Sequence, residues 1–412
     1  MLQSYRVKGI NESITLKLNA KAVALAEEGR KIYNLTAGQL PCKPMSELIE
    51  LMRGELNFLK SFQYAPVPGI RELRDKFLHR FFATRDLENS PLEAKLDCAI
   101  SNGGKHALGN ALGALVNPGD EVILIAPYWL TYRPLVELWG GVAKVVSSTL
   151  YDQFIPSIAE IEKAITPKTR AIIVNSPNNP TGIHYPKDWM ERFGKMLLEH
   201  QEVSVISDEI YFDLSYFDPG PTYFYQLYPE LLNRTIIVDG ISKNMACTGL
   251  RIGFTIAPAE LIAAIGRLQG QTTSGANTLV QRALVELDFD LISTFLEPIR
   301  NQLRNNARSL RESFRQADLS NCWYQSTSAF YFLVDFSTTP MFQRFAKSSE
   351  ETEEISDYAT DICSDLLEKH GVALVPTADF GTPNCARISL VLEERPFAEA
   401  INLVVEYLNQ EK

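Results

Sequence analysis

Lys243 and Arg251 stand eight residues apart in Asp239-Gly-Ile-Ser-Lys-Asn-Met-Ala-Cys-Thr-Gly-Leu-Arg-Ile-Gly-Phe254. A β-branched run, Thr235–Val238, precedes them and reads as a buried strand. Gly240 and Ser242 then interrupt the strand and present Lys243, while Gly249 and Gly253 leave little bulk around Arg251. A lysine at a small-residue turn can condense with a ligand carbonyl, and an uncrowded arginine can clamp a phosphate bidentately. A Schiff-base lysine and a phosphate clamp are the two fixtures that pyridoxal phosphate needs. A surface lysine and a surface arginine in a loop would leave the same local pattern.

Other residues with chemical potential recur at the ends of predicted strands. Cys98–Ile100 leads into Ser101-Asn-Gly-Gly-Lys105, a strand, a glycine turn and a helix start. The N–H groups of Gly104 and Lys105 there would form an anion site aided by the helix dipole, with Gly103 in the turn. Glu121–Ala126 is a strand capped by Pro127-Tyr-Trp129, so Trp129 is either a ligand contact or a core tryptophan. Ala171–Asn175 runs into the turn cluster Asn175-Ser-Pro-Asn-Asn-Pro-Thr-Gly182, where asparagine amides sit on a rigid backbone. Val203–Ser207 ends in Asp208-Glu-Ile-Tyr211. Gly38, after the short strand Ile32–Leu35, would let backbone approach a ligand or would simply turn the chain. Tyr64, beside two prolines and a glycine, reads as a surface tyrosine or a ligand contact. Arg387 opens an apolar strand and needs an anionic partner, either an internal carboxylate or that of a substrate.

The elements that carry these residues alternate strand and helix through Thr235–Val238, which implies a mostly parallel sheet with helices on both faces. After the helical stretch Leu279–Leu287 long helices, Phe295–Gln316 and Asp357–His370, alternate with short strands near Ala329–Val334 and Arg387–Leu390. The expected division is a large α/β domain over 50–290 and a smaller α+β domain from 291–412, joined by 1–49. The N-terminal helix is expected over Asn19–Gly29, and the acidic run Ser348–Glu354 as a solvated loop or helix start.

Composition narrows the function classes. The chain has 412 residues, 45% hydrophobic and 22% charged, which is ordinary for a globular protein. A net charge of −10 argues against a nucleic-acid surface. No run of about 18 apolar residues occurs, so no membrane span is expected, and the start lacks a signal-peptide core. The six cysteines form no Cys-x-x-Cys pair, so no metal site is expected and a reduced, cytoplasmic protein fits.

Asn178-Asn-Pro-Thr-Gly182, Ser207-Asp-Glu-Ile-Tyr211 and Ser242-Lys-Asn-Met-Ala-Cys-Thr-Gly-Leu-Arg-Ile-Gly253, in this order and spacing, resemble the class I and II aminotransferases of pyridoxal-phosphate fold type I. The resemblance runs from about Asn19 to Arg387. Gly103-Gly-Lys105, Pro127-Tyr-Trp129, Ser13-Ile-Thr15 and Asn19-Ala-Lys-Ala look most like the prokaryotic-type aspartate aminotransferase branch.

The resemblance implies that Lys243 carries the cofactor, next to Ser242. It implies that Asp208 pairs with the pyridine nitrogen, and that Tyr211 and Asn179 meet the ring's phenolic oxygen. Gly103, Gly104, the Lys105 backbone and Arg251 would hold the phosphate, and Trp129 would stack on the ring. Tyr64 would reach the phosphate of a neighbouring subunit in a homodimer. Arg387 would clamp the substrate α-carboxylate beside Gly38. Lys105 would face a distal carboxylate, helped by Ser13 or Thr15. The expected reaction is ping-pong amino transfer between an L-amino acid, aspartate first, and 2-oxoglutarate. The alternatives are preference for aromatic or other amino acids, a β-eliminating lyase sharing the same cofactor residues, and a non-catalytic cofactor-binding regulator, for which no DNA-binding module is present. One departure stands out: Gly38-Gln-Leu-Pro replaces the usual Gly-Glu-Pro-Asp type, with Gln39 where an acid is common.

Overall fold

Along Glu121–Ala126 the alternation of side chains splits an unbroken apolar run between two cores. Val122, Leu124 and Ala126 join one buried cluster, and Ile123 and Ile125 join another. A strand buried on both faces has no need of polar alternation, which is why such strands read as continuous hydrophobic runs. The same split occurs at Ile172 and Ile173, and at Ile236 and Ile237.

The structure, a computed structural model, describes residues 2, 4–10, 14–88, 90–319, 324–348 and 357–410. Its strands in chain order are β1 Tyr33–Asn34, β2 Leu96–Ser101, β3 Glu121–Ala126, β4 Val142–Ser147, β5 Thr169–Asn175, β6 Ser204–Asp208, β7 Thr235–Gly240, β8 Gly253–Pro258, β9 Tyr331–Asp335, β10 Val372–Ala373, β11 Val375–Pro376 and β12 Cys385–Ser389. A seven-stranded sheet has the order β2-β8-β7-β6-β5-β3-β4. β4, β3, β5, β6 and β7 pair in parallel, and β8 lies antiparallel between β7 and β2. One face of this sheet packs against helices Gly104–Leu115 and Ala259–Thr272. The other packs against Arg71–Thr84 and Lys187–Glu199.

A separate antiparallel sheet, β11-β12-β9, belongs to the smaller domain. It is accompanied by the 26-residue helix Leu291–Gln316 and by Glu394–Leu408. β1 pairs in parallel with β10, Tyr33 opposite Val372, and so attaches the N-terminal segment to this domain.

The expected strands over 96–240 appear within a few residues of their predicted bounds. β8 was not foreseen, because Gly253 opens it and the preceding residues read as a turn. The N-terminal helix is Ile14–Glu27, several residues earlier than expected, with Gly29 beyond its end at φ +87°. Residues 349–354 of the acidic run, and Ser13, lie outside the described residues. Among the described residues no helix is long and apolar enough to cross a membrane, and no cluster of His, Cys, Asp and Glu could hold a metal ion.

Candidate active site

A cavity of about 650 Å³ opens at the carboxyl edge of the parallel strands. Ligands in open α/β sheets bind at this edge, because strands end there and helix N-termini point toward it. Its lining includes Thr15, Gly38, Gln39, Gly104, Lys105, Trp129, Asn179, Asp208, Tyr211, Ser242, Lys243, Arg251 and Arg387. Residues far apart in sequence therefore converge because each follows a strand of one sheet or is brought over it by the smaller domain.

Lys243 sits in the one-turn helix Ile241–Asn244 that follows β7. Its Nζ donates to the Gly38 carbonyl at 2.6 Å. Burial pushes its pKa down to about 8, the positive charges of Arg387 and Arg251 push the same way, and Asp208 opposes them. At that value roughly a tenth of the side chains are free, nucleophilic amine at pH 7, far more than for an ordinary lysine.

Asp208 ends β6, with Asn175 at the end of β5 as its register partner. Burial raises its pKa to about 6, while the Tyr132 hydroxyl, donating to Oδ2 at 2.6 Å, and the Ile210 N–H lower it. It makes no ion pair among the described residues, so a buried carboxylate faces the cavity without a cation.

Arg251 lies against the turn before the helix Gly104–Leu115. Its guanidinium donates to the Thr248 and Asn102 carbonyls at 2.9 and 3.3 Å. A Cβ on Gly103, whose φ is +84°, would fall 2.5 Å from the Arg251 guanidinium, so only glycine admits it. Gly103 thus buttresses Arg251 rather than lining the cavity. Lys105 places its ammonium 5.0 Å from the centre of the Trp129 ring, and burial followed by the Arg251 charge lowers its pKa.

Arg387 is 3% exposed in β12. It donates to Asn179 Oδ1 at 3.1 Å and to the Thr36 carbonyl at 3.0 Å, and lies 4.4 Å from the centre of the Tyr331 ring. It makes no ion pair among the described residues, and its buried Nε has no hydrogen-bond partner. Of the two anionic partners open to it, no internal carboxylate pairs with it among the described residues.

Thr15 also reaches the cavity, and its buried hydroxyl has no partner. Tyr64 does not: it is 93% exposed beside a different hollow. Several lining residues were not singled out from sequence. Tyr132 stands three residues past Trp129, Tyr331 brings its hydroxyl 3.2 Å from that of Tyr211, and Asn175 accepts the Asn179 N–H at 2.8 Å. Asn19, Asn34 and Thr36 form a hydrogen-bonded cluster at the rim. Tyr132 and Asn175 carried a sequence signal, their places at or just past a strand's carboxyl end. Gln39 accepts from the Thr248 hydroxyl at 2.9 Å, so the departure from the usual acid lies at the cavity mouth.

The donor set fits pyridoxal phosphate. An uncharged-prone lysine, an unpaired buried carboxylate and an arginine beside a free helix N-terminus match a carbonyl, a pyridinium and a phosphate, respectively.

Comparison with known proteins agrees with this chemistry. The family profile described as aminotransferase class I and II matches residues 30–403. The aspartate/prephenate aminotransferase of Thermus thermophilus is 33% identical over 99% of both chains, and the aspartate aminotransferase of Thermotoga maritima is 31% identical over 98% of this chain and 99% of its own. The solved aspartate aminotransferase from Thermus thermophilus with maleate superposes with a TM-score of 0.86 at 33% identity, covering 99% of this chain and 100% of that one. With sequence, fold and cavity in agreement over nearly its whole length, the chain belongs to the class I and II aminotransferases, which work with pyridoxal phosphate.

Proposed function

We propose that this enzyme transfers the amino group of L-aspartate to a 2-oxo acid such as 2-oxoglutarate in two ping-pong half-reactions. The observation that carries the reading is Arg387: a buried guanidinium with an unpartnered Nε, no paired acid among the described residues, and a place in the same cavity as Lys243. An α-carboxylate supplies the missing charge and hydrogen-bond acceptor. Bound pyridoxal phosphate supplies an electron sink for the carbanion formed at Cα and carries the amino group between the half-reactions.

The chain's residues have distinct tasks in this reading. Arg251 and the N–H groups of Gly104 and Lys105 would hold the phosphate, with Gly103 backing Arg251 and Ser242 beside it. Asp208 holds a proton on the ring nitrogen, Asn179 and Tyr211 face the phenolic oxygen, and Trp129 covers the ring. Lys243 would act as the base that takes the substrate's Cα proton and as the acid that hands it back. Arg387, with the Gly38 backbone, orients the Cα–H bond toward Lys243. Lys105 and Thr15 read the distal carboxylate of aspartate, which the names of the relatives support.

The cofactor residues come from the large domain, 50–290, and Thr15, Gly38 and Arg387 from 1–49 and 291–412, so the substrate lies between domains. Tyr64 is exposed alongside Leu59 at 74% and Phe62 at 66%. Such an apolar edge supports a homodimer in which Tyr64 serves the neighbour's phosphate. The five described cysteines are unpaired, which supports a cytoplasmic setting.

An amino-donor screen with 2-oxoglutarate, and with prephenate as a second acceptor, tests the reading while the cofactor spectrum is followed. Aspartate should convert the cofactor in a single half-reaction and give glutamate with 2-oxoglutarate. Release of pyruvate and ammonia from an amino acid without any acceptor would instead identify a β-eliminating lyase.

A further inference from the structure

Lys243 stands on a helix of a single turn, Ile241–Asn244, and so short a helix is marginal on its own. Gly240 before it offers no side-chain cap, and its own backbone closes through the Met245 N–H to the Ile241 carbonyl at 3.1 Å. What fixes the turn sideways lies beneath the cavity. The buried Asn244 amide donates to Asp213 Oδ2 at 2.8 Å. Arg80, from the helix Arg71–Thr84, donates to Asp213 Oδ1, also at 2.8 Å.

Asp213 belongs to the short 3-10 helix Phe212–Leu214, which starts directly after Tyr211. The Leu214 N–H closes on the Tyr211 carbonyl at 2.9 Å, and the Phe212 N–H on the Glu209 carbonyl at 2.8 Å. The Asn244–Asp213 bond therefore joins two segments that each carry cofactor-facing residues: Asp208 and Tyr211 on one, Ser242 and Lys243 on the other.

The bond has a built polarity. Asn244 Oδ1 is buried and has no partner, so the amide is oriented by what its nitrogen reaches. Burial pushes the Asp213 carboxyl up, and Arg80 and Asn244 more than offset it, holding it below the ordinary value. Asp213 thus stays an anion and an acceptor. The buried Asp239 nearby is raised instead, by burial and then by the Asp213 charge, which Arg85, the Gly240 N–H donating to it at 2.6 Å and Arg80 do not offset.

We infer that Arg80, Asp213 and Asn244 form a positioning chain that sets the distance and angle of Lys243 relative to Asp208 and Tyr211. None of the three touches the cofactor cavity, and each acts through the backbone it holds. The inference rests on the role of Lys243 proposed above.

A double-mutant cycle tests it, using Asn244→Ala, Asp213→Asn and the pair. Asp213→Asn keeps the volume, so the Arg80 environment is not emptied. Each single variant should lower kcat for aspartate about tenfold, with KM and bound cofactor changed less than twofold, and the pair should be no worse than the poorer single variant. In the cofactor-free protein, Asn244→Ala should speed hydrogen exchange of the peptide spanning 239–247 and leave the peptide over the helix Gly104–Leu115 unchanged. Additive losses, or unchanged kcat in holoenzyme that merely melts earlier, would overturn the inference. Borohydride mapping of the unaltered holoenzyme separates the two levels: cofactor found elsewhere than Lys243 removes the underlying reading, whereas cofactor on Lys243 with an uncoupled cycle removes only this one.

Discussion

Tyr132 donates its hydroxyl to Asp208 Oδ2 at 2.6 Å in the wall of the cavity. A hydrogen bond to a carboxylate favours its charged form, so this contact opposes the burial that lifts Asp208 to about 6. In Tyr132→Phe the pKa should rise further, and the acid limb of kcat/KM should move to higher pH. A limb that stays in place would show that another group governs it. Asp208→Asn should keep the fold and lose orders of magnitude in turnover, because a neutral amide cannot hold the ring nitrogen protonated.

Lys243 should be the residue that captures the cofactor. Borohydride reduction and peptide mapping should find the label there and on no other lysine, and Lys243→Ala should bind the cofactor without transaminating. With burial and two arginines lowering its pKa to about 8, the amine gains reactivity as pH rises toward that value and plateaus above it. Capture by cofactor-free protein should follow this curve. A midpoint near that of a free lysine would contradict the geometry.

Arg387→Lys retains charge but loses the planar fork. Losing one charge-assisted contact of about 1.5–3 kcal/mol predicts a ten- to hundredfold fall in kcat/KM for every amino acid tested. Thermal stability should change little, since Arg387 closes no ion pair within the described protein. Lost stability with normal kinetics would mean that Arg387 is structural after all.

Lys105→Ala separates cofactor binding from substrate choice. If the ammonium beside Trp129 reads a distal carboxylate, kcat/KM for aspartate should drop about ten- to hundredfold, by the strength of a charge-assisted contact. The value for phenylalanine should drop far less. Equal losses would assign Lys105 to the cofactor phosphate.

The strand-end residues were legible because one rule locates them all. Asp208, Lys243 and Trp129 each follow an apolar run, and the sheet order then brings those runs side by side. What escaped was whatever depended on contacts between distant segments. Nothing near Tyr331 announces that its hydroxyl meets Tyr211, because the pairing arises from how the smaller domain sits over the sheet. β8 was hidden for a related reason: Gly253 at its start is a poor strand former by local propensity, and only packing explains it. The choice between an internal acid and a substrate for Arg387 likewise needed the full set of its neighbours.

That packing at Gly253 has a further consequence. A Cβ there would fall 2.3 Å from the Gly104 nitrogen, so two backbones touch where most proteins would interpose side chains. The turn at Gly103–Gly104 and the strand after Arg251 are thereby locked to each other without any replaceable part. Sequence drift cannot retune this half of the cavity by small steps, since even one methyl group is refused. The cavity mouth, where Gln39 stands exposed, has no such prohibition. New substrate preferences would therefore accumulate at that mouth, around a glycine contact that stays the same.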